Sequence, residues 1–182
     1  HHHLDPQHRV LDIADLAATM RRIGVEARAA ASIVAEASPE LRTAALREAA
    51  KALRTHAKDI LAANAQDLSS ARDLTPALRD RLMLDETRVA AIADAVDAIA
   101  SIPDPVGAII AEWTQPNGLN FQRVRVPIGV IGIIYESRPN VTADAGALAL
   151  RAGNVAILRG GSESALSSRA IHAAMVEGLV KA

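Results

Sequence analysis

The stretch "VIGIIYESRPNVTADAGALALRAGNVAILRGGSES", residues 130–164, changes its grammar three times. An apolar, β-branched run from Ile128 to Ile134 breaks off into "YESRPN". An Ala- and Leu-rich segment then starts near Pro139-Asn140 and stops at Gly153, a candidate left-handed C-cap. "NVAILR" (154–159) is a second apolar run, and "RGGSES" (159–164) leads into another Ala-rich segment from about Ser162. Continuously apolar runs of this kind are expected of parallel strands covered on both faces. Strand, helix, strand and helix with short joints mean parallel strands and a right-handed crossover. The predicted class is therefore α/β, with a partial Rossmann-like parallel sheet over 128–182.

Upstream of this unit the pattern is different. "AIIAEWTQ" and "LNFQRVRV" flank "PNG", which predicts a β-hairpin over 107–127 with Asn117-Gly118 at its turn. Phe121, Val124 and Val126 do not alternate cleanly, so a bulge or a change of partner is expected there. "SIPDPVG" separates the hairpin from a helical part, 8–106, because two prolines in three residues cannot continue a helix.

In the helical part, Val10, Ile13, Leu16, Ala17 and Met20 share one face of a helix over 10–37, which Ile23-Gly24 is expected to loosen or divide. Ser38 reads as an N-cap with Pro39 at the first helical position, opening a helix that runs to about Leu68. Leu46, Ala49, Leu53, Ala57, Ile60, Asn64 and Leu68 form its expected buried stripe. Thr75-Pro76 opens a short helix to Leu84. Asp85 caps the next, whose Val89, Ile92, Val96 and Ile99 recur at spacings of three and four. Residues 1–7, "HHHLDPQ", read as a tag remnant rather than as a native metal-binding arm.

Bulk composition narrows the partners. The chain has 182 residues, 20 Lys and Arg against 21 Asp and Glu, and a formal charge of −1. Neither the basic excess expected of a nucleic-acid binder nor an apolar run of membrane-spanning length is present. With no cysteine there is no disulfide to form and no requirement for an oxidising compartment, so a cytoplasmic location is expected.

Ligands of open α/β sheets bind beyond the carboxyl ends of parallel strands. Both such ends here are polar, and both run into helix N-termini that favour an anion. Arg159 offers a positive charge, Gly160 and Gly161 admit close backbone approach, and Ser162 offers a hydroxyl. No GxxxxGK(S/T) or GxGxxG is present, so a phosphate or ribose site and a plain turn stand level. Asn140 reads either as an N-cap or as an amide that stabilises an oxyanion. Arg138 reads either as the partner of Glu136 or as an anion-binding group. His56 and His172 have no second ligand at metal spacing, and Asp104 and Asp144 form no carboxylate pair, so no metal is expected.

"YESRPNVT" and "AGNVAILRGG", with "NAQDL" and "DPVG" upstream, closely resemble the gamma-glutamyl phosphate reductases of the aldehyde dehydrogenase superfamily. The resemblance covers the chain from about Ile23 onwards. It implies NADPH as cofactor, gamma-glutamyl phosphate as substrate, and a role in proline biosynthesis. It implies that Asn140 stabilises the oxyanion and that Arg159, Gly160, Gly161, Ser162 and Glu163 meet the cofactor. Ser162 stands where many NAD-dependent relatives have a ribose-binding glutamate, which favours a 2′-phosphate, although Glu163 lies next door. Glu136, Ser137 and Arg138 are the local candidates for the glutamyl end, and the 107–127 hairpin resembles an oligomerisation arm. The family's nucleophile is a cysteine in a separate, downstream catalytic domain. The chain is thus expected to be an N-terminal portion of such an enzyme, inactive by itself. The alternatives are a non-catalytic α/β binding or assembly module and an NAD-linked dehydrogenase of free aldehydes.

Overall fold

The computed structural model describes residues 13–182; residues 1–7, expected to be a tag remnant, the Val10 position and the side chain of Ile13 lie outside the described residues. The chain runs α1 (Ile13–Glu36), α2 (Pro39–Thr55), α3 (Ala57–Ser70), α4 (Pro76–Leu82), α5 (Glu86–Ala100), β1 (Ile109–Thr114), β2 (Asn120–Val124), β3 (Val130–Ile134), α6 (Pro139–Arg151), β4 (Val155–Arg159) and α7 (Ala165–Val180). A 3₁₀ turn at Ser162–Ser164 precedes α7.

The predicted helix starts are present with their bonds. Ser38 Oγ accepts from Leu41 N at 3.1 Å, Thr75 Oγ1 from Leu78 N at 3.3 Å, and Asp85 Oδ1 from Arg88 N at 2.7 Å. Three expectations for the helical part fail. First, α1 runs through Gly24 unbroken. A single glycine costs a helix only about 1 kcal/mol, too little to divide one of this length. Second, Leu16 and Met20 are about half exposed, at 48% and 50%, whereas Ala27 and Ala31 are buried. The packed face of α1 is thus its later, small-residue face, and it lies against β4.

Third, the long helix to Leu68 is two helices broken at His56, whose backbone (φ −95°, ψ 17°) leaves the helical region. The broken turn suits the His56 ring. Its Nδ1 lies 3.1 Å from Asp59 and its Nε2 2.6 Å from Glu177 on α7. The Asp59 bond raises its pKa, burial opposes this, and Glu177 adds to the rise.

One apolar core joins Leu46 and Leu53 of α2, Ile60 of α3, Val89, Ile92 and Val96 of α5, Ala143 and Ala147 of α6, and Ile171 and Met175 of α7. Helices α2 and α7 approach closely at Gly178. A Cβ added at Gly178 would lie 2.5 Å from Glu48 O and 2.6 Å from Ala49 Cα.

Among the described residues the strands form two separate pairs, β1–β2 antiparallel and β3–β4 parallel. The hairpin turns at Gln115–Gly118, with Gly118 at φ +86° and Gly118 N bonded to Gln115 O. The suspected irregularity is a register shift between Ile109 and Ala111. Trp113 and Phe121 stack on one face at 5.7 Å, and both remain exposed.

The parallel pair aligns Val130 with Val155 and Ile134 with Arg159. It is not covered on both faces as expected. Ile134 is 86% exposed and Gly132 is exposed too, because α1 and α6 pack chiefly on β4 and leave β3 less sheltered. The crossover helix ends as predicted. Gly153 sits at φ +76° and donates to Leu150 O, while Asn154 N reaches back to Ala149 O, a Schellman motif.

Candidate active site at the strand ends

The register puts both strand exits side by side, and Tyr135 N donates to Arg159 O at 3.0 Å. The exits are then stitched together by side chains. Tyr135 OH lies 2.6 Å from Thr142 Oγ1, which sets its ring over Gly160, where an added Cβ would meet the ring at 3.1 Å. Ser137 sits over Gly161, and a Cβ there would come within 2.9 Å of Ser137 N. The chain's own Tyr135 and Ser137 therefore use the space that the two glycines leave.

Ser137 Oγ donates to Glu163 Oε2 at 2.6 Å. This bond first, then the backbone of Glu163, hold the Glu163 carboxyl below its usual range against a minor effect of burial. Arg159 is exposed and donates to Gly160 O. Ser162 is exposed beside it.

The anion site expected at the start of α7 is already filled from within. Asp67 on α3 accepts from Leu166 N at 3.2 Å, Ser167 N at 2.7 Å and Ser167 Oγ at 2.6 Å. These N–H groups are the ones an external phosphate would need. Asp67 is buried, and its role was not read from the sequence. The signal was present in "NAQDL", but the partners lie a hundred residues away.

The N-cap reading of Asn140 does not hold. Arg138 occupies the cap position, no side chain caps α6, and Asn140 is the second helical residue, two positions past the cap. Its Nδ2 donates to Asp144 Oδ2 at 3.3 Å. Burial raises the Asp144 carboxyl, and the Asn140 bond opposes this only in part. Both residues line a cleft of about 390 Å³, together with Arg81, Arg88 and Arg138.

A second cleft of about 320 Å³ is lined by Glu136, Ser137, Arg138, Gly161, Glu163 and Arg81, among others. Arg138 Nε lies 3.7 Å from Glu136 Oε2, an exposed ion pair too long for a hydrogen bond. The structure thus brings residues 136–138, 140 and 159–163 to one end of the parallel pair. Arg81 is the neighbour that sequence reasoning missed. Among the described residues no group of three or more His, Asp or Glu could hold a metal ion, and no helix is long and apolar enough to cross a membrane.

The aldehyde dehydrogenase family model matches residues 10–181. The chain belongs to the aldehyde dehydrogenase family. Among curated relatives it is 56% identical over 173 residues to the gamma-glutamyl phosphate reductase of Parvibaculum lavamentivorans, covering 94% of this chain and 41% of that protein. Among solved structures, the gamma-glutamyl phosphate reductase of Thermotoga maritima matches with a TM-score of 0.81 at 41% identity, over 85% of this chain and 38% of that one. The gamma-glutamyl phosphate reductase of Saccharomyces cerevisiae matches with a TM-score of 0.83 at 32% identity, over 88% and 41%. The α/β aldehyde dehydrogenase-type fold is therefore established for this chain. The chain spans about two fifths of the length of the relatives it matches.

Proposed function

We propose that this chain is part of an NADPH-dependent gamma-glutamyl phosphate reductase that forms glutamate-5-semialdehyde in proline biosynthesis. The observation that carries the reading is the 56% identity over 173 residues, 94% of this chain, to a reductase of that name. The donor set also fits a phosphorylated dinucleotide. Arg159 offers an exposed guanidinium and Ser162 an exposed hydroxyl, while the ionised Glu163 is drawn to Ser137. A carboxylate at the ribose would repel a 2′-phosphate; a hydroxyl and a guanidinium attract it.

When bound, NADPH supplies the hydride for the reduction. Asn140 donates its side-chain amide to the developing oxyanion, with Asp144 orienting the group through the Nδ2 bond. Residues 136–138 and the two clefts hold the acyl substrate. The nucleophilic thiol of the proposed mechanism comes from outside these residues, since the chain contains no cysteine. The chain by itself is inactive on this reading. Self-association runs through the 107–127 hairpin, whose Ile109, Ile110, Trp113 and Phe121 are all exposed. A cytoplasmic location fits the pathway.

The cofactor reading is tested by titrating NADPH and NADH into the protein that carries this chain, following nicotinamide fluorescence. NADPH should bind at least about tenfold more tightly, a margin of ~1.4 kcal/mol. Ser162→Glu, at an exposed position, should erase or reverse that preference. Equal or tighter binding of NADH to the unsubstituted protein would overturn it in favour of an NAD-linked dehydrogenase.

A further inference from the structure

Arg81 stands on the rim shared by both clefts, although it comes from α4, far before the strand exits in sequence. Helix α4 has only seven residues and would not hold its shape alone in water. Here its end is pinned on either side of Arg81. Asp80 O and Met83 O accept from Arg88 Nη1 at 2.5 and 2.9 Å. Leu82 O accepts from the buried Asn64 Nδ2 at 2.8 Å, and Asn64 Oδ1 takes Leu84 N at 2.8 Å. Four backbone bonds thus fix the base of a side chain that is itself held by little.

The Arg81 guanidinium faces Glu136, with Nη1 at 3.7 Å from Oε2, and Arg138 Nε stands 3.7 Å from the same oxygen. Neither distance is a hydrogen bond. The surrounding charges are otherwise engaged. Arg88 pairs with Asp80 at 2.7 Å, Glu163 takes the Ser137 hydroxyl, and Asp144 takes the Asn140 amide. Two guanidiniums therefore face one carboxylate, which leaves the trio with a net positive charge that a second anion would offset.

We propose that Arg81 and Arg138 clamp the carboxylate of an α-amino-acid head group, while Glu136 takes its ammonium. This assigns Arg81 as a specificity-determining residue for the substrate class of the reaction proposed above, and it rests on that reading. A planar, five-donor guanidinium suits a carboxylate better than an ammonium would, and rigid presentation lowers the ordering cost of binding. The hydride and oxyanion steps lie at the other end of the substrate, so the clamp acts on binding rather than on the reacting atoms.

The test uses the protein that carries this chain, assayed with glutamate-5-semialdehyde, NADP⁺ and phosphate. Arg81→Ala should raise the KM for the semialdehyde about 10- to 100-fold, the loss expected for one charge-assisted contact. The KM values for NADP⁺ and phosphate should stay within about twofold, and kcat should change little. Arg81→Lys should recover part of the loss. An unchanged semialdehyde KM, or a parallel rise in all three KM values, would overturn the clamp and leave the reductase reading standing. An unsubstituted protein that fails to oxidise the semialdehyde would overturn both.

Discussion

Arg42→Ala is expected to lower the melting temperature by about 10 °C, the largest stability loss anticipated in the chain. Arg42 is 2% exposed. Its Nη2 bonds Asp104 Oδ2 at 2.5 Å, while its Nη1 bonds Ala37 O at 2.5 Å and Val34 O at 3.2 Å. One side chain thus satisfies a carbonyl of the last turn of α1, the Ala37 carbonyl just past it, and the carboxylate that organises the turn into the hairpin, where Asp104 Oδ1 takes Val106 N. Removing one partner of a buried pair strands the other, at a cost of about 3–5 kcal/mol. In a domain of this size each kcal/mol moves the midpoint by about 2–4 °C. Thermal unfolding followed by circular dichroism measures it.

The same pair gives a pH signature. Burial raises the Asp104 carboxyl, but Arg42, the Val106 N–H and Arg151 together more than offset this, so it titrates below the usual carboxylate range. Its stabilising contribution is present above the unfolded-state value and is lost as pH falls through the depressed folded value. The Arg42→Ala variant should lose the Arg42 share of that acid sensitivity. A midpoint within about 2 °C of the parent at neutral pH would show that Arg42 is not the anchor described here.

Gly178→Ala is expected to cost about 1–3 kcal/mol, or about 2–12 °C, again by thermal unfolding. The added methyl would meet the backbone of α2 at Glu48 O and Ala49, atoms that cannot rotate away. The two helices must separate, and the buried contacts of Leu46, Leu53 and Ile171 loosen with them. Gly24→Ala is the control. Its Cβ would meet nothing within 4 Å on a helix, so it should be neutral or slightly stabilising.

Local signals were legible where the physics is local. Ser38, Thr75 and Asp85 cap because their oxygens reach N–H groups three residues on, and Asn117-Gly118 turns because glycine accepts a positive φ. The parallel pair was legible from two apolar runs and the Gly153 stop. What escaped depends on distant partners. The break at His56 suits the ring's close approach to Glu177, more than a hundred residues on. Asp67 reads as a surface residue until Ser167 is brought to it.

The site was legible as a list and not as an arrangement. Asn140 reads as a cap because Pro-Asn often opens a helix, yet the helix already begins at Pro139 and turns the Asn140 amide towards Asp144. Gly160 and Gly161 read as a ligand cradle, and their openness is shared with Tyr135 and Ser137 from the neighbouring exit. Arg81 carried no sequence signal, since its importance comes from α4 being folded against the strand ends.

Phosphate dependence tests the proposed reductase activity most directly. The protein that carries this chain should be given glutamate-5-semialdehyde and NADP⁺, with and without inorganic phosphate. The predicted result is NADPH formation that requires phosphate, with aldehyde, phosphate and NADP⁺ giving acyl phosphate, NADPH and a proton. Turnover at the same rate in phosphate-free buffer, with glutamate as product, would contradict it and mark a hydrolytic aldehyde dehydrogenase instead.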